Sequence, residues 1–214
     1  MSKVIVLIGA PGAGKGTQAR LLQERRGIPQ ISTGDIFREM KTSDTPLARE
    51  VQTIMATGKL ISDSITYQIV KDRTLRDDCG NGYILDGYPR TAVQAKQLED
   101  LAAQQGLSIQ AIEIDVPKDE LMRRLTGRRS CPVCGEIYNI YSQPPKSDGV
   151  CDFHPDSGLN HRADDNEESV KTRLETYESN TKPLLEFYRA SNRLEKVDGT
   201  REVEDIYREI EGLI

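Results

Sequence analysis

The chain has 214 residues, with 29 Lys or Arg against 34 Asp or Glu and a formal charge of −5. That length suits one main core with small insertions rather than two equal domains, and the acidic balance excludes a general nucleic-acid or membrane-surface binder. No apolar run is long enough to span a bilayer, and Met1-Ser2-Lys3-Val4 leads straight into a strand with no cleavable leader, so a soluble cytoplasmic protein is expected.

The first apolar run, Lys3 to Ile8, predicts a buried strand, and GAPGAGKGTQ follows it from Gly9 to Gln18. Glycines 9, 12, 14 and 16 carry no Cβ, so the backbone there can fold into a nest of inward N–H donors around phosphates. Lys15 adds a mobile charge, and the helix expected over Lys15 to Arg26 adds its positive dipole end and unpaired N–H groups. A Gly-rich strand-to-helix turn without a ligand would have no packing reason for that lysine. The residue after the lysine is a hydroxyl residue in the common phosphate-loop pattern; here it is Gly16, followed by Thr17.

Further strands are expected at Gln30 to Ser32, Tyr83 to Leu85, Ala111 to Val116 and Leu194 to Val197. Helices should lie between them: several pieces from Asp35 to Asp78, then Thr91 to Gln105, Pro117 to Thr126, Glu167 to Arg189, and Val203 to Ile214. Short apolar runs alternating with amphipathic ones are the signature of an α/β fold, a parallel sheet flanked by helices. Arg128 to Asp165 breaks the rhythm, being rich in Pro, Gly, Asp, Ser and Tyr, and reads as an insertion of turns and short strands.

That insertion holds three of the four cysteines, in the spacing C-x2-C-x16-C-x2-H formed by Cys131, Cys134, Cys151 and His154. Two matched knuckles suit tetrahedral zinc, and a closed four-ligand site would be structural. An insertion of roughly forty residues cannot bury enough apolar surface to order itself, so a metal would replace the missing core. Free thiols or a redox Cys-x-x-Cys pair are the alternatives, and His161, Asp152 and Asp156 compete with His154 for the fourth position. Cys79 stands apart and is assigned to packing.

Arginines recur at element ends: Arg38, Arg90, Arg124, Arg128, Arg162 and Arg173. Arg90 follows a strand that delivers it to the C-terminal sheet edge, where open α/β folds bind ligands. Arg128 and Arg162 bracket the insertion like clamps on a lid whose closure would bring both onto phosphates. Arg20, Arg49 and Arg76 are taken as solubilising surface charges. A lysine and several arginines are what phosphoryl transfer needs, its catalysis being mainly positioning and cationic stabilisation. Asp86, directly after a strand, is the natural carboxylate for magnesium, through bound water given Gly16, although a turn-forming Asp before Gly87 is the plainer reading. Asp86 or Asp35 could act as a general base for an alcohol acceptor; a phosphate acceptor would need none.

GAPGAGKGTQ, ISTGDIFR, DGYPRTAVQ, the cysteine knuckles, RADD (Arg162 to Asp165) and KVDGT (Lys196 to Thr200) together resemble, in that order, the long-lid adenylate kinases. The resemblance spans nearly the whole chain. It implies ATP + AMP ⇌ 2 ADP with magnesium, in a monomer that partners ATP, AMP and ADP but neither nucleic acid nor membrane. The implied fold is a P-loop kinase core with a five-stranded parallel sheet flanked by helices, a helical AMP-binding insertion and a small zinc-stapled β lid. Its expected parts are a core of residues 1–31, 62–126 and 166–214, an AMP-binding domain of 32–61, and a lid of 127–165.

Carried over by residue, the resemblance gives Gly12, Ala13, Gly14, Lys15, Gly16 and Thr17 to the ATP phosphates, with Arg124, Arg128, Ile137, Tyr138 and Arg201 as further ATP-side contacts. Thr33, Arg38, Lys59, Leu60, Ile61, Gly87, Tyr88, Pro89 and Arg90 fall to AMP, and Gln94 to its base, an amide being able to pair with adenine through two hydrogen bonds. Arg162 and Arg173 would bridge the transferring phosphate and AMP, so that Lys15, Arg90, Arg128, Arg162 and Arg173 form the catalytic set. His154 stands where many zinc-bearing relatives carry Cys or Asp, and Asn139 where many carry His. A UMP or CMP kinase, or a zinc-ribbon nucleic-acid binder responsive to ATP, are the rival readings.

Overall fold

A computed structural model describes residues 2–214; Met1, the first residue of the expected core segment, lies outside the described residues. Five strands form one wholly parallel sheet: β1 (Lys3–Ile8), β2 (Gln30–Ser32), β3 (Gly82–Asp86), β4 (Ser108–Asp115) and, after a separate hairpin, the last strand, Leu194–Asp198. The hairpin pairs β5 (Arg128–Ser130) with β6 (Ile137–Asn139) antiparallel, which makes the last strand β7, and the sheet order is β2-β3-β1-β4-β7. β1 is central and buried on both faces, which is why it reads as a continuous apolar run. Val4, Val6 and Ile8 pack into one core cluster while Ile5 and Leu7 pack into the cluster on the opposite face.

The register brings the strand ends level: Leu7 and Ser32 both pair with Asp86, Ile8 pairs with Glu113, and Asp115 pairs with Asp198. The loops after β1, β2, β3, β4 and β7 therefore open along one edge. Segments far apart in sequence, the glycine loop, Thr33, Gly87 to Arg90 and Gly199 to Arg201, are gathered there by chain topology alone.

Helices α1 (Lys15–Arg26), α2 (Thr33–Glu39), α3 (Pro46–Ala56), α4 (Asp63–Thr74), α5 (Ala92–Gln104), α6 (Lys118–Thr126), α7 (Glu167–Thr176), α8 (Pro183–Ala190) and α9 (Val203–Leu213) complete the fold. Local chemistry sets their ends. Thr45, Ser62, Thr91 and Asn166 each cap a helix by accepting a backbone N–H three residues on, and α1 stops at Gly27 in the left-handed conformation. Phe37, Val51 and Ile61 form a separate small core with Met55 and Ile65, beside the sheet rather than on it. The insertion has only Cys131, Tyr138 and Cys151, with Leu159 against them, as its buried cluster.

Two expected elements differ. The helix expected over Glu167 to Arg189 is divided by a π-turn at Tyr177–Thr181, where Lys182 N–H reaches back to Tyr177 O at 2.9 Å. Pro183 is the physical cause: it has no N–H to donate, so it begins a new helix rather than continuing the old one. β4 starts at Ser108 instead of Ala111, because its alternating Ser-Ile-Gln start pairs with Lys3 to Ile5 of β1. Arg20 is also more than a solubilising charge: from α1 it pairs with Glu136 of the lid at 2.9 Å, each side chain about a quarter exposed. Cys79 is buried, as packing requires, with Arg73 Nη1 donating to its sulfur at 3.2 Å.

Candidate active site

The glycine loop turns where Gly12 and Gly14 take φ of +86° and +98°, and α1 begins at once with Lys15. Its first-turn N–H groups, with no side-chain cap, face the sheet edge. Lys15 Nζ curls onto the loop and donates to Gly9 O at 2.7 Å and Ala10 O at 3.0 Å. A Cβ at position 16 would lie 3.2 Å from Asp86 Oδ2. The carboxylate on β3 thus stands against α1's first turn.

The turn after β3 binds the next elements together. Gly87 O accepts from Thr33 Oγ1 at 2.9 Å and from Arg90 Nε at 2.7 Å. Gly87 sits at φ +80°, and a Cβ there would come within 2.7 Å of Arg90 Nη2 and 2.8 Å of Thr33 Oγ1, so only glycine closes this junction. The Tyr88–Pro89 peptide is cis, and Tyr88 is buried with its hydroxyl on Gln94 O. Arg38 pairs with Asp35 across one turn of α2.

One cleft is lined by Thr33, Arg38, Lys59, Leu60, Ile61, Gly87, Arg90, Gln94 and Arg173 from the sequence-predicted set, joined by Gly34, Phe37, Met55, Thr66 and Asp164. Tyr88 and Pro89 stand behind this wall. Arg162 borders Arg38 and Asp35 electrostatically from the far side.

Arg128 and Arg173 are held by two carboxylates that sequence reasoning left without a role. Asp165, fully buried, takes both Nε and Nη2 of Arg128 at 2.8 and 2.6 Å and Arg173 Nη1 at 3.0 Å. Asp164 pairs with Arg173 at 2.9 Å. The signal was present in RADD, since adjacent aspartates at a lid boundary need cationic partners once buried.

The site's charges are linked. Burial, reinforced by Arg90, Arg173 and Arg128 and opposed by Asp86, lowers the Lys15 ammonium to about 8. Burial also lowers Arg90 and Arg173, each further lowered by neighbouring arginines. Arg162 falls to about 10 through burial and then Arg128 and Arg38. Asp35 and Asp164 are held down by Arg38 and Arg173 respectively, against the upward push of burial. Six cations (Lys15, Arg38, Arg90, Arg128, Arg162, Arg173) against four carboxylates (Asp35, Asp86, Asp164, Asp165) leave an excess of positive charge that polyanionic ligands would balance.

A pH dependence follows. Only protonated Lys15 attracts phosphate, and a bound phosphate raises its pKa, so binding above pH 8 takes up a proton. A phosphate-bearing ligand held by this lysine is expected to bind with an affinity that is flat below about pH 7.5 and weakens up to tenfold per unit above 8. Titration calorimetry at pH 8.5 in buffers of differing ionisation enthalpy checks it: net proton uptake agrees, and heats independent of buffer disagree.

The remaining expected ATP-side residues are placed differently from one another. Arg124 Nη1 donates to Gly199 O at 2.9 Å, joining α6 to the loop after β7. Arg201, just before α9, pairs with Glu209 on that helix. Ile137 is half-buried on β6, while Tyr138 is buried, its hydroxyl engaged by Cys151 Sγ at 3.5 Å and by Asp152 N–H at 2.9 Å. Asn139 replaces any ring with an amide that braces the lid, Nδ2 donating to Arg124 O at 2.9 Å.

Cys131, Cys134, Cys151 and His154 converge, one ligand atom from each lying within 4.8 Å of all the others. Cys134 Sγ and Cys151 Sγ are 3.8 Å apart, Cys151 Sγ and His154 Nδ1 3.8 Å, and Cys131 Sγ and His154 Nδ1 3.9 Å. Zinc bonds of about 2.0–2.3 Å in a tetrahedron give ligand–ligand edges of roughly 3.4–3.8 Å, so the donor set fits the metal, with His154 as fourth member. Asp152 instead accepts from Lys146 N–H at 2.7 Å.

Comparison with known proteins places these features in context. A family model described as "Adenylate kinase" matches residues 7–193. The adenylate kinase of Clostridium perfringens (strain SM101 / Type A) is 48% identical over 207 residues, covering 96% of this chain and 95% of its own. That of Bacillus subtilis (strain 168) is 47% identical over 212 residues, covering 98% and 97%. That of Thermodesulfovibrio yellowstonii is 44% identical over 207 residues, covering 96% of each.

Proposed function

This chain belongs to the adenylate kinase family, and from that membership we propose how its residues divide the work of interconverting ATP + AMP and 2 ADP. The observation that carries the proposal is the continuity of the positive site. Arg90 and Arg173 line the monophosphate cleft and also act on the charge of Lys15 in the glycine loop. Two phosphate chains lying end to end would share those arginines.

In this reading Gly12 to Thr17 cradle the ATP phosphates through loop and helix N–H groups, and Lys15 leaves Gly9 O and Ala10 O to follow the transferring group. Thr33, Arg38 and Arg90 hold the AMP phosphate, Lys59 to Ile61 close over its nucleoside, and Gln94 reads the base. Arg128, Arg162 and Arg173 meet the charge spread over the equatorial and bridging oxygens, where differential stabilisation accelerates transfer. Asp164 and Asp165 fix the arginines' orientation beforehand, which lowers the reorganisation cost in the transition state. The acceptor phosphate is already anionic, so no side chain need act as base. Asp86, against α1's first turn, is where magnesium would be held through water, supplying further neutralisation of the phosphate oxygens.

The proposed working parts are the core, the 32–61 segment with its own small hydrophobic cluster, and the 127–165 lid stapled by zinc. Closure of both segments would exclude water from the transfer. The reading takes the protein as a monomer, and a cytoplasmic location is consistent with the substrates. Among the described residues no helix is long and apolar enough to cross a membrane.

Coupled assays of diphosphate formation from ATP with AMP, GMP, UMP or CMP test the substrate assignment. AMP is expected to give the highest kcat/KM; a preference for a pyrimidine monophosphate would overturn it.

A further inference from the structure

Gln94, in the first turn of α5 and almost wholly buried, lines the monophosphate cleft. Both ends of its amide are already engaged. Oε1 accepts the Arg90 backbone N–H at 2.7 Å, and Nε2 donates to Asp63 Oδ1 at 2.8 Å. The same Asp63 oxygen accepts the Thr91 hydroxyl at 3.1 Å, and Thr91 Oγ1 in turn accepts Gln94 N–H at 3.2 Å. Asp63 lies in the first turn of α4.

These partners decide which way the amide points. A backbone N–H can only donate and an ionised carboxylate can only accept, so both constraints demand the same orientation. Rotating the amide by half a turn would set N–H against N–H at Arg90 and oxygen against oxygen at Asp63. One Nε2 hydrogen and one Oε1 lone pair remain for a ligand. Adenine matches them, offering an N6 donor beside an N1 acceptor. A 6-oxopurine offers the reverse, an O6 acceptor beside an N1 donor, and would need the rotated amide.

We propose that Asp63 is a positioning residue for base choice: by locking the Gln94 amide it makes the cleft favour 6-aminopurine over 6-oxopurine monophosphates. This rests on the reading that Gln94 contacts the base. The Arg90 N–H can be removed only by a proline that would also remove the guanidinium, so Asp63 is the half of the lock that mutation can open on its own.

The test compares kcat/KM for AMP and IMP in the full-length protein carrying Asp63→Ala, Asp63→Asn or Gln94→Ala, with melting curves for each. Asp63→Asn is nearly isosteric and keeps the measurement available should the alanine variant fold poorly. The expected result for Asp63→Ala is a fall of about tenfold or more in the AMP:IMP ratio, through a higher KM for AMP and a lower one for IMP, with kcat on AMP within about threefold of the parent. Asp63→Asn should fall in between, because its amide can offer either oxygen or N–H to Gln94. If Gln94→Ala collapses the ratio and both Asp63 variants retain it, Asp63 does not set base choice and the inference fails while the Gln94 reading stands. If Gln94→Ala also retains the ratio, both fail. An equal loss of kcat on the two monophosphates, with the ratio unchanged, would mark Asp63 as merely structural and equally overturn the proposal.

Discussion

Lys15→Ala is expected to lower kcat by about a thousandfold while leaving the protein folded, with Arg90→Ala close behind. Both side chains are half-buried cations whose protonated forms are disfavoured where they sit, Lys15 down to about 8. A fold does not gain by holding such charges, and a transferring phosphoryl group does. In the free protein Lys15 bonds only Gly9 O and Ala10 O, and Ala10 O also accepts the Ala13 N–H, so its loss leaves Gly9 O alone short of a donor. That cost, about 1–3 kcal/mol, is partly offset by relief of the buried charge. The melting temperature should therefore move by only a few degrees. Steady-state rates and circular-dichroism melts on the purified variants check this. Turnover within about threefold of the parent in either variant would remove that residue from the transition state.

Removing the lid metal is expected to act in the opposite sense, on stability far more than on chemistry. Outside the four ligands, the insertion's buried cluster offers only Tyr138 and Leu159, too little to order the segment. The lid's remaining ties to the core are a few polar contacts, among them Arg20 with Glu136 and Asn139 with the Arg124 carbonyl. A metal bound at a closed four-ligand site contributes its binding energy to folding. Losing even 3–5 kcal/mol of it in a protein of this size lowers the melting temperature by roughly 10 °C. Calorimetry with and without a zinc chelator, alongside metal analysis, gives the answer. We expect about one zinc per chain and a drop of that size, with activity at low temperature reduced less than tenfold because the transfer site lies outside the knuckles. Substoichiometric zinc in gently purified protein, or an unchanged melt after chelation, would contradict the assignment.

The sequence was legible where one residue type carries one physical job. The β1 strand, the glycine loop and the start of α1 were readable because a doubly buried strand must be continuously apolar and a phosphate nest must shed its Cβ atoms. The knuckles were readable because metal geometry fixes ligand spacing, and the structure added the choice of His154 over its neighbours. The lining of the cleft between Thr33 and Arg173 was legible chiefly through the resemblance; nothing in local pattern says that Lys59 and Arg173 share a wall. What stayed hidden was pairing at long range. Arg20 with Glu136 and Asp63 with Gln94 are meetings of polar residues with no periodicity, specified by topology and visible only once the chain is folded. The break at Pro183 is a different kind of miss, since a proline inside a helical pattern is itself a stop signal.

The central claim is that a single positive site holds two phosphate chains end to end. A bisubstrate mimic in which two adenosines are joined through five phosphates tests it most directly, by titration calorimetry on the metal-replete protein. The account predicts one mimic per chain, bound at least about a hundredfold more tightly than ATP alone, with most of that gain lost in Lys15→Ala. Failure of the mimic to bind the folded protein, or binding no tighter than ATP, would contradict it.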